Sequence, residues 1–97
     1  MPPPSPSEPL RLYSRQGCCL CEGLEERLRA LPGVTGLDVI DVDGDPGLQQ
    51  RYGLEVPVLA LRHADGALQE LPRVSPRLGG DGLAVWLQRN GFPGQAA

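Results

Sequence analysis

A short apolar run, a glycine turn and two cysteines spaced Cys-x-x-Cys follow one another at Leu12-Tyr13-Ser14-Arg15-Gln16-Gly17-Cys18-Cys19-Leu20-Cys21. No other stretch of the chain narrows the fold as much. From Cys18 onward, Cys21, Leu24, Leu28 and Leu31 recur at the three- and four-residue spacing of one buried helix face. Glu22, Glu25, Glu26 and Arg29 are left for solvent, with Glu25 and Arg29 an i,i+4 pair, and Pro32-Gly33 stops the helix. A strand therefore runs almost directly into a helix. The helix phase turns Cys21 toward the core and leaves Cys18 at the exposed start. Unpaired backbone N–H groups and the positive end of the helix dipole there favour a thiolate. Cys18 is the expected redox nucleophile and Cys21 its resolving partner.

The cysteines exclude a second reading of themselves. All three lie within four residues, so a bridge among them closes almost no loop and cannot staple a small secreted domain. In a reducing compartment, closely spaced cysteines are catalytic or metal-binding more often than structural. The first residues, Met1 to Pro9, carry neither a basic region nor an apolar run. We expect no secretory signal, no membrane-spanning stretch and a cytoplasmic protein. A net charge of −3 and a pI near 5.0 give no electrostatic footprint for nucleic acid or an anionic membrane. All nine basic residues are arginines, which rules out any mechanism that needs a lysine.

Ninety-seven residues with a 40% hydrophobic fraction suit one domain with a modest core. The Pro/Ser-rich residues 1–8 read as a disordered tail, 9–92 as the domain and 93–97 as a flexible end. Leu10, Leu12 and Tyr13 form a first strand. Leu37 to Asp43, dense in β-branched residues, forms a second. Asp45 and Pro46 are an N-cap and first helical residue for a short helix to Tyr52, with Gly53 as its left-handed stop. Glu55 to Leu61 reads as a buried strand with Pro57 at its mouth, since a proline cannot donate to a sheet ladder. Ala64-Asp65-Gly66 turns the chain into an edge-like strand from Ala67 to Leu71. Gly79-Gly80-Asp81-Gly82 leads into a last helix with Leu83, Trp86 and Leu87 as its apolar stripe, closed at Asn90-Gly91. The order β-α-β-α-β-β-α predicts an α/β fold with a central four-stranded mixed sheet.

This order, with Cys-x-x-Cys after the first strand, resembles the thioredoxin fold. Tyr13-Ser14-Arg15, followed by Gly17-Cys18 and Cys21, resembles the active-site stretch of glutaredoxins. Val39-Ile40-Asp41-Val42-Asp43, Leu48, Tyr52-Gly53 and Val56-Pro57-Val58-Leu59 resemble the small bacterial glutaredoxin-like proteins, and the likeness covers roughly residues 10–90. The resemblance implies a thiol–disulfide oxidoreductase with Cys18 as nucleophile and Cys21 as resolving thiol. It implies a cis peptide before Pro57, with Val56 offering its backbone to the bound substrate. It gives Arg15 to activation of the nucleophile, and Gly79, Gly80 and Asp81 to the γ-glutamyl carboxylate of glutathione. The implied partners are a disulfide-containing protein or glutathione, and a reductant, either glutathione or a thioredoxin-type system. No bound cofactor is implied, glutathione being a co-substrate. The departures fall on the substrate side: Cys19 and Leu20 replace the usual Pro and Tyr, and Glu55 replaces a common threonine.

Two other readings fit the same residues. Cys18, Cys19 and Cys21 with His63 add up to a Cys3His zinc set, and a cluster shared between subunits through Cys18 would make the protein a metal or iron–sulfur carrier. A chain that kept this fold for protein binding alone would be a non-catalytic adaptor. Cys19 itself reads as a bystander thiol. Alternation places Asp41 and Asp43 on one sheet face, with Asp41 a candidate buried carboxylate for deprotonating Cys21.

Overall fold

The computed structural model describes residues 10–31, 34, 36–63, 65–75 and 77–92. The expected tails at 1–8 and 93–97, the Pro32-Gly33 helix stop and Ala64 of the hairpin turn lie outside the described residues.

The chain forms β1 (Leu10–Ser14), α1 (Cys19–Arg29), β2 (Asp38–Asp41), α2 (Pro46–Tyr52), β3 (Val58–Arg62), β4 (Leu68–Glu70) and α3 (Gly80–Arg89). The four strands make one sheet in the order β2-β1-β3-β4. β1 and β2 are parallel, joined by α1, and the pairs β1–β3 and β3–β4 are antiparallel. This mixed α/β sheet is the expected thioredoxin-like fold.

Alternation along the central strands builds the layers. Leu10 and Leu12 of β1, with Leu59 and Leu61 of β3, pack on Leu24 and Leu28 of α1 and on Leu83 and Leu87 of α3. Tyr13, Val58 and Ala60 point the other way, onto Val42 and Tyr52. Tyr13 and Tyr52 stack with ring centroids 4.5 Å apart, which fastens α2 to the sheet. Trp86 is half-buried against the first cluster, as core packing requires. β3 is thus covered on both faces, which explains why its sequence is a continuous apolar run.

Three boundaries differ from the sequence reading, each for a local reason. The second strand stops at Asp41, because the Asp41 side chain accepts the Asp43 N–H at 2.9 Å and bends Val42–Gly44 into a 3-10 turn. Val42 drops into the core while Asp43 leaves the sheet, so the two aspartates do not share a strand face. Gly53 ends α2 with φ −55°, not in the left-handed region; its N–H donates to the Gln49 carbonyl. The third strand begins at Val58, since the Glu55 and Val56 N–H groups both donate to the Tyr52 carbonyl and wind around the end of α2. Asp45 caps α2 as expected, accepting from the N–H groups of Gly47 (2.8 Å) and Leu48 (3.3 Å). Among the described residues no helix is long and apolar enough to cross a membrane.

Candidate redox site

The first strand delivers the chain to a tight turn at Arg15-Gln16-Gly17. Gly17 has φ +81°, a conformation that favours glycine, and the Cys18 N–H donates to the Arg15 carbonyl at 3.2 Å. Cys18 is then the N-cap of α1. Its sulfur accepts the Cys21 N–H at 3.2 Å, so one of the orphan donors of the helix start is spent on the thiol atom. Glu22 reaches back to the Gly17 N–H at 3.2 Å and closes the turn from the other side.

Cys18 and Cys21 are joined as a disulfide, with their Cα atoms 5.2 Å apart. Their surroundings differ as the helix phase requires. Cys18 is partly exposed, whereas Cys21 is 0% exposed. Cys19 is a free, exposed thiol on the outer face of α1, beside Glu22 and Glu26. His63 is exposed on the β3–β4 hairpin, with Nε2 2.7 Å from Gln69 Oε1. Among the described residues no group of three His, Cys, Asp or Glu side chains is gathered to hold a metal ion. The Cys3His arithmetic is therefore not realised in space.

The Val56–Pro57 peptide is cis, and both residues form one wall of a cleft of about 380 Å³. Leu20, Leu24 and Arg27 of α1 make the opposite wall, and Arg73, Val74 and Ser75 close the end. Leu20 is 56% exposed, an apolar side chain held in solvent between Cys18 and Cys21 in the sequence. The Val56 N–H donates to the Tyr52 carbonyl at 3.0 Å, and its own carbonyl accepts no backbone hydrogen bond among the described residues. Glu55 pairs with Arg73, which lines the cleft, so its negative charge is compensated.

Gly79, Gly80 and Asp81 lie at the start of α3, outside the lining of the cleft. Arg27 links the two: it lines the cleft and donates from Nε to the Leu78 carbonyl at 2.8 Å. The double glycine has two causes. A Cβ on Gly79 would meet Arg27 Cδ at 3.1 Å, and Gly80 takes φ +55°. Asp81 is exposed in the first turn, where its charge complements the helix dipole.

The Arg15 side chain is engaged by Asp43 and Gly53. Its guanidinium donates to both Asp43 oxygens (2.9–3.2 Å) and to the Gly53 carbonyl at 3.0 Å. These bonds hold the Asp43 carboxyl below its ordinary range and raise Arg15 above its own. Asp41 is exposed and spends its carboxylate on the Asp43 N–H, not on Cys21.

Sequence reasoning missed four parts of this site: Arg27, the Glu22 brace, the Arg15–Asp43 pair and the 73–75 segment. A signal existed for the first. Arg27 stands three residues after Leu24 and seven after Leu20, a charge on an otherwise apolar helix face.

Residues 9–88 match the family model of the Glutaredoxin-like domain (DUF836). Uncharacterized proteins of Mycobacterium tuberculosis (strain H37Rv) and Mycobacterium bovis are each 37% identical over 59 residues, 54% of this chain. The chain spans 61% of the length of these relatives in that match. The X-ray structure of a structural-genomics target protein, XcR50, from X. campestris is 32% identical, with a TM-score of 0.52. That likeness covers 82% of this chain and 96% of the other.

Proposed function

This chain belongs to the Glutaredoxin-like domain (DUF836) family, and from that premise we propose that it is a thiol–disulfide oxidoreductase acting through Cys18 and Cys21. One observation carries the reading: a bonded pair whose first sulfur is a partly exposed helix N-cap and whose second is fully buried. A free cysteine, with a pKa of about 8.5, is mostly protonated at neutral pH. The Cys21 N–H and the helix dipole stabilise the Cys18 thiolate against that cost.

In the reduced protein, the Cys18 thiolate attacks one sulfur of a substrate disulfide and expels the other as a thiolate. A mixed disulfide on Cys18 results. The Cys21 thiol then attacks the Cys18 sulfur, its proton passing to the departing substrate sulfur, which leaves as the second substrate thiol. The substrate gains two electrons and the protein is left with the Cys18–Cys21 disulfide. An external dithiol or two molecules of glutathione return those electrons, in a reducing compartment such as the cytoplasm.

The substrate lies in the cleft between Leu20 and Pro57, pairing its backbone with the Val56 carbonyl. A protein disulfide or a glutathione mixed disulfide meets these terms. With glutathione, Gly79, Gly80 and Asp81 hold its γ-glutamyl end, reached along Arg27. The test is reduction of insulin disulfides and of a glutathionylated peptide, each driven in turn by glutathione and by a thioredoxin-type reductant. Wild type turns over at least one pairing and Cys18→Ser none. Equal rates for wild type and Cys18→Ser on both substrates would sink the reading.

A further inference from the structure

Arg15 bonds to two segments that lead into the redox site. Its backbone carbonyl accepts the Cys18 N–H at 3.2 Å, closing the turn that presents the nucleophile. Its side chain reaches the end of α2, where Nη1 donates to the Gly53 carbonyl at 3.0 Å. Gly53 opens the loop that winds through Glu55 and Val56 onto Pro57, and the buried Gly53 lies so close that a Cβ on it would meet Arg15 Nη2 at 3.3 Å. The remaining donors of the guanidinium, Nε and Nη2, are spent on Asp43, which Gln49 of α2 also holds at 3.1 Å.

A guanidinium has a rigid fork of donors, and this one spans a carboxylate and a backbone carbonyl at once. Its charge faces the Asp43 carboxylate at 2.9 Å, and a second carboxylate, Glu22, braces the same turn. A cation already paired with one anion adds little field at a third group in water-exposed surroundings. We propose that Arg15 is a positioning residue that clasps the Cys18 turn to the Gly53–Pro57 loop, setting the distance between nucleophile and substrate wall without setting the acidity of Cys18. The proposal rests on the redox reading for its effect on turnover, but not for the clasp itself.

Asp43 separates this role from charge activation, because the two predict opposite signs for its removal. Freed of Asp43, an activating Arg15 would act more strongly on the thiolate; a clasping Arg15 would lose its anchor. The full chain is compared as wild type, Arg15→Lys and Asp43→Asn, with a circular dichroism spectrum to establish that each variant folds. Amide hydrogen exchange is read at Cys18 and Val56, the pH midpoint of Cys18 from iodoacetamide alkylation of the reduced protein, and kcat/KM from insulin reduction by dithiothreitol. We expect both variants to exchange roughly tenfold faster at both amides. The alkylation midpoint does not fall, and kcat/KM drops roughly tenfold. Lysine does not rescue, since a point charge cannot span Asp43 and Gly53. A lower midpoint with faster turnover in Asp43→Asn, full rescue by Arg15→Lys, or unchanged exchange at the two amides overturns the proposal. If wild type itself shows no Cys18-dependent turnover, the redox reading has failed, and the exchange arm alone decides the clasp.

Discussion

The Asp43 carboxyl is held below the usual carboxylate range chiefly by hydrogen bonds from Arg15. A carboxyl whose folded-state pKa is depressed contributes stability that is fully present above about pH 4 and is lost as pH falls through the depressed value. We therefore expect the contact between the Cys18 turn and the α2 corner to survive mild acid. A carboxyl-carbon NMR titration should show Asp43 below the ordinary aspartate range in wild type and shifted up toward it in Arg15→Gln. An Asp43 midpoint that stays put in the variant would contradict the pairing. The Arg15–Asp43 contact was not legible in the sequence for a definite reason. Alternation in the sequence continues through Asp43, but the Asp41 side chain turns the backbone two residues earlier. The cysteines were legible because Cys21 continues the buried Leu24–Leu28 stripe, whereas Cys18 stands at the N-cap, before the helix body begins.

Elements divide by how much they bury. Leu28 of α1 is 0% exposed between β1 and α3, whereas Leu54, in the loop before Pro57, is 97% exposed. Leu28→Ala should lower unfolding free energy in urea by about 2–5 kcal/mol, and Leu54→Ala by less than about 0.5 kcal/mol. Equal losses would mean that the described layers do not carry the stability. Gly80 makes the start of α3 sensitive in another way, since φ +55° penalises any L side chain there. Helix starts and strand cores could be read from spacing and capping residues: Asp45, Pro46 and the Leu24–Leu28 stripe all stand where expected. Strand ends could not. Their limits at Asp41 and Val58 are set by side-chain and backbone hydrogen bonds to residues that no periodicity announces.

At the scale of the whole molecule, three segments far apart in sequence meet at one cleft: the α1 face from Leu20 to Arg27, the Val56–Pro57 loop and the 73–75 segment. The first two were visible from the motif and the proline, which together resemble a known family. The third was not, because residues 73–75 carry no period; Val74 packs against the core cluster, as does Leu78, whose carbonyl Arg27 holds. The meeting of these segments makes an apolar, partly cationic cleft against the α1 face that carries Leu20, and it is there that we propose a protein or glutathione disulfide docks. The order of events at the two sulfurs is the core of the account, and trapping tests it most directly. Reduced Cys21→Ser is mixed with a glutathionylated peptide, and the products are resolved by mass spectrometry under non-reducing conditions. The account predicts a stable mixed disulfide mapped to Cys18, absent from Cys18→Ser. An adduct on Cys19 instead, or none on Cys18, would contradict it.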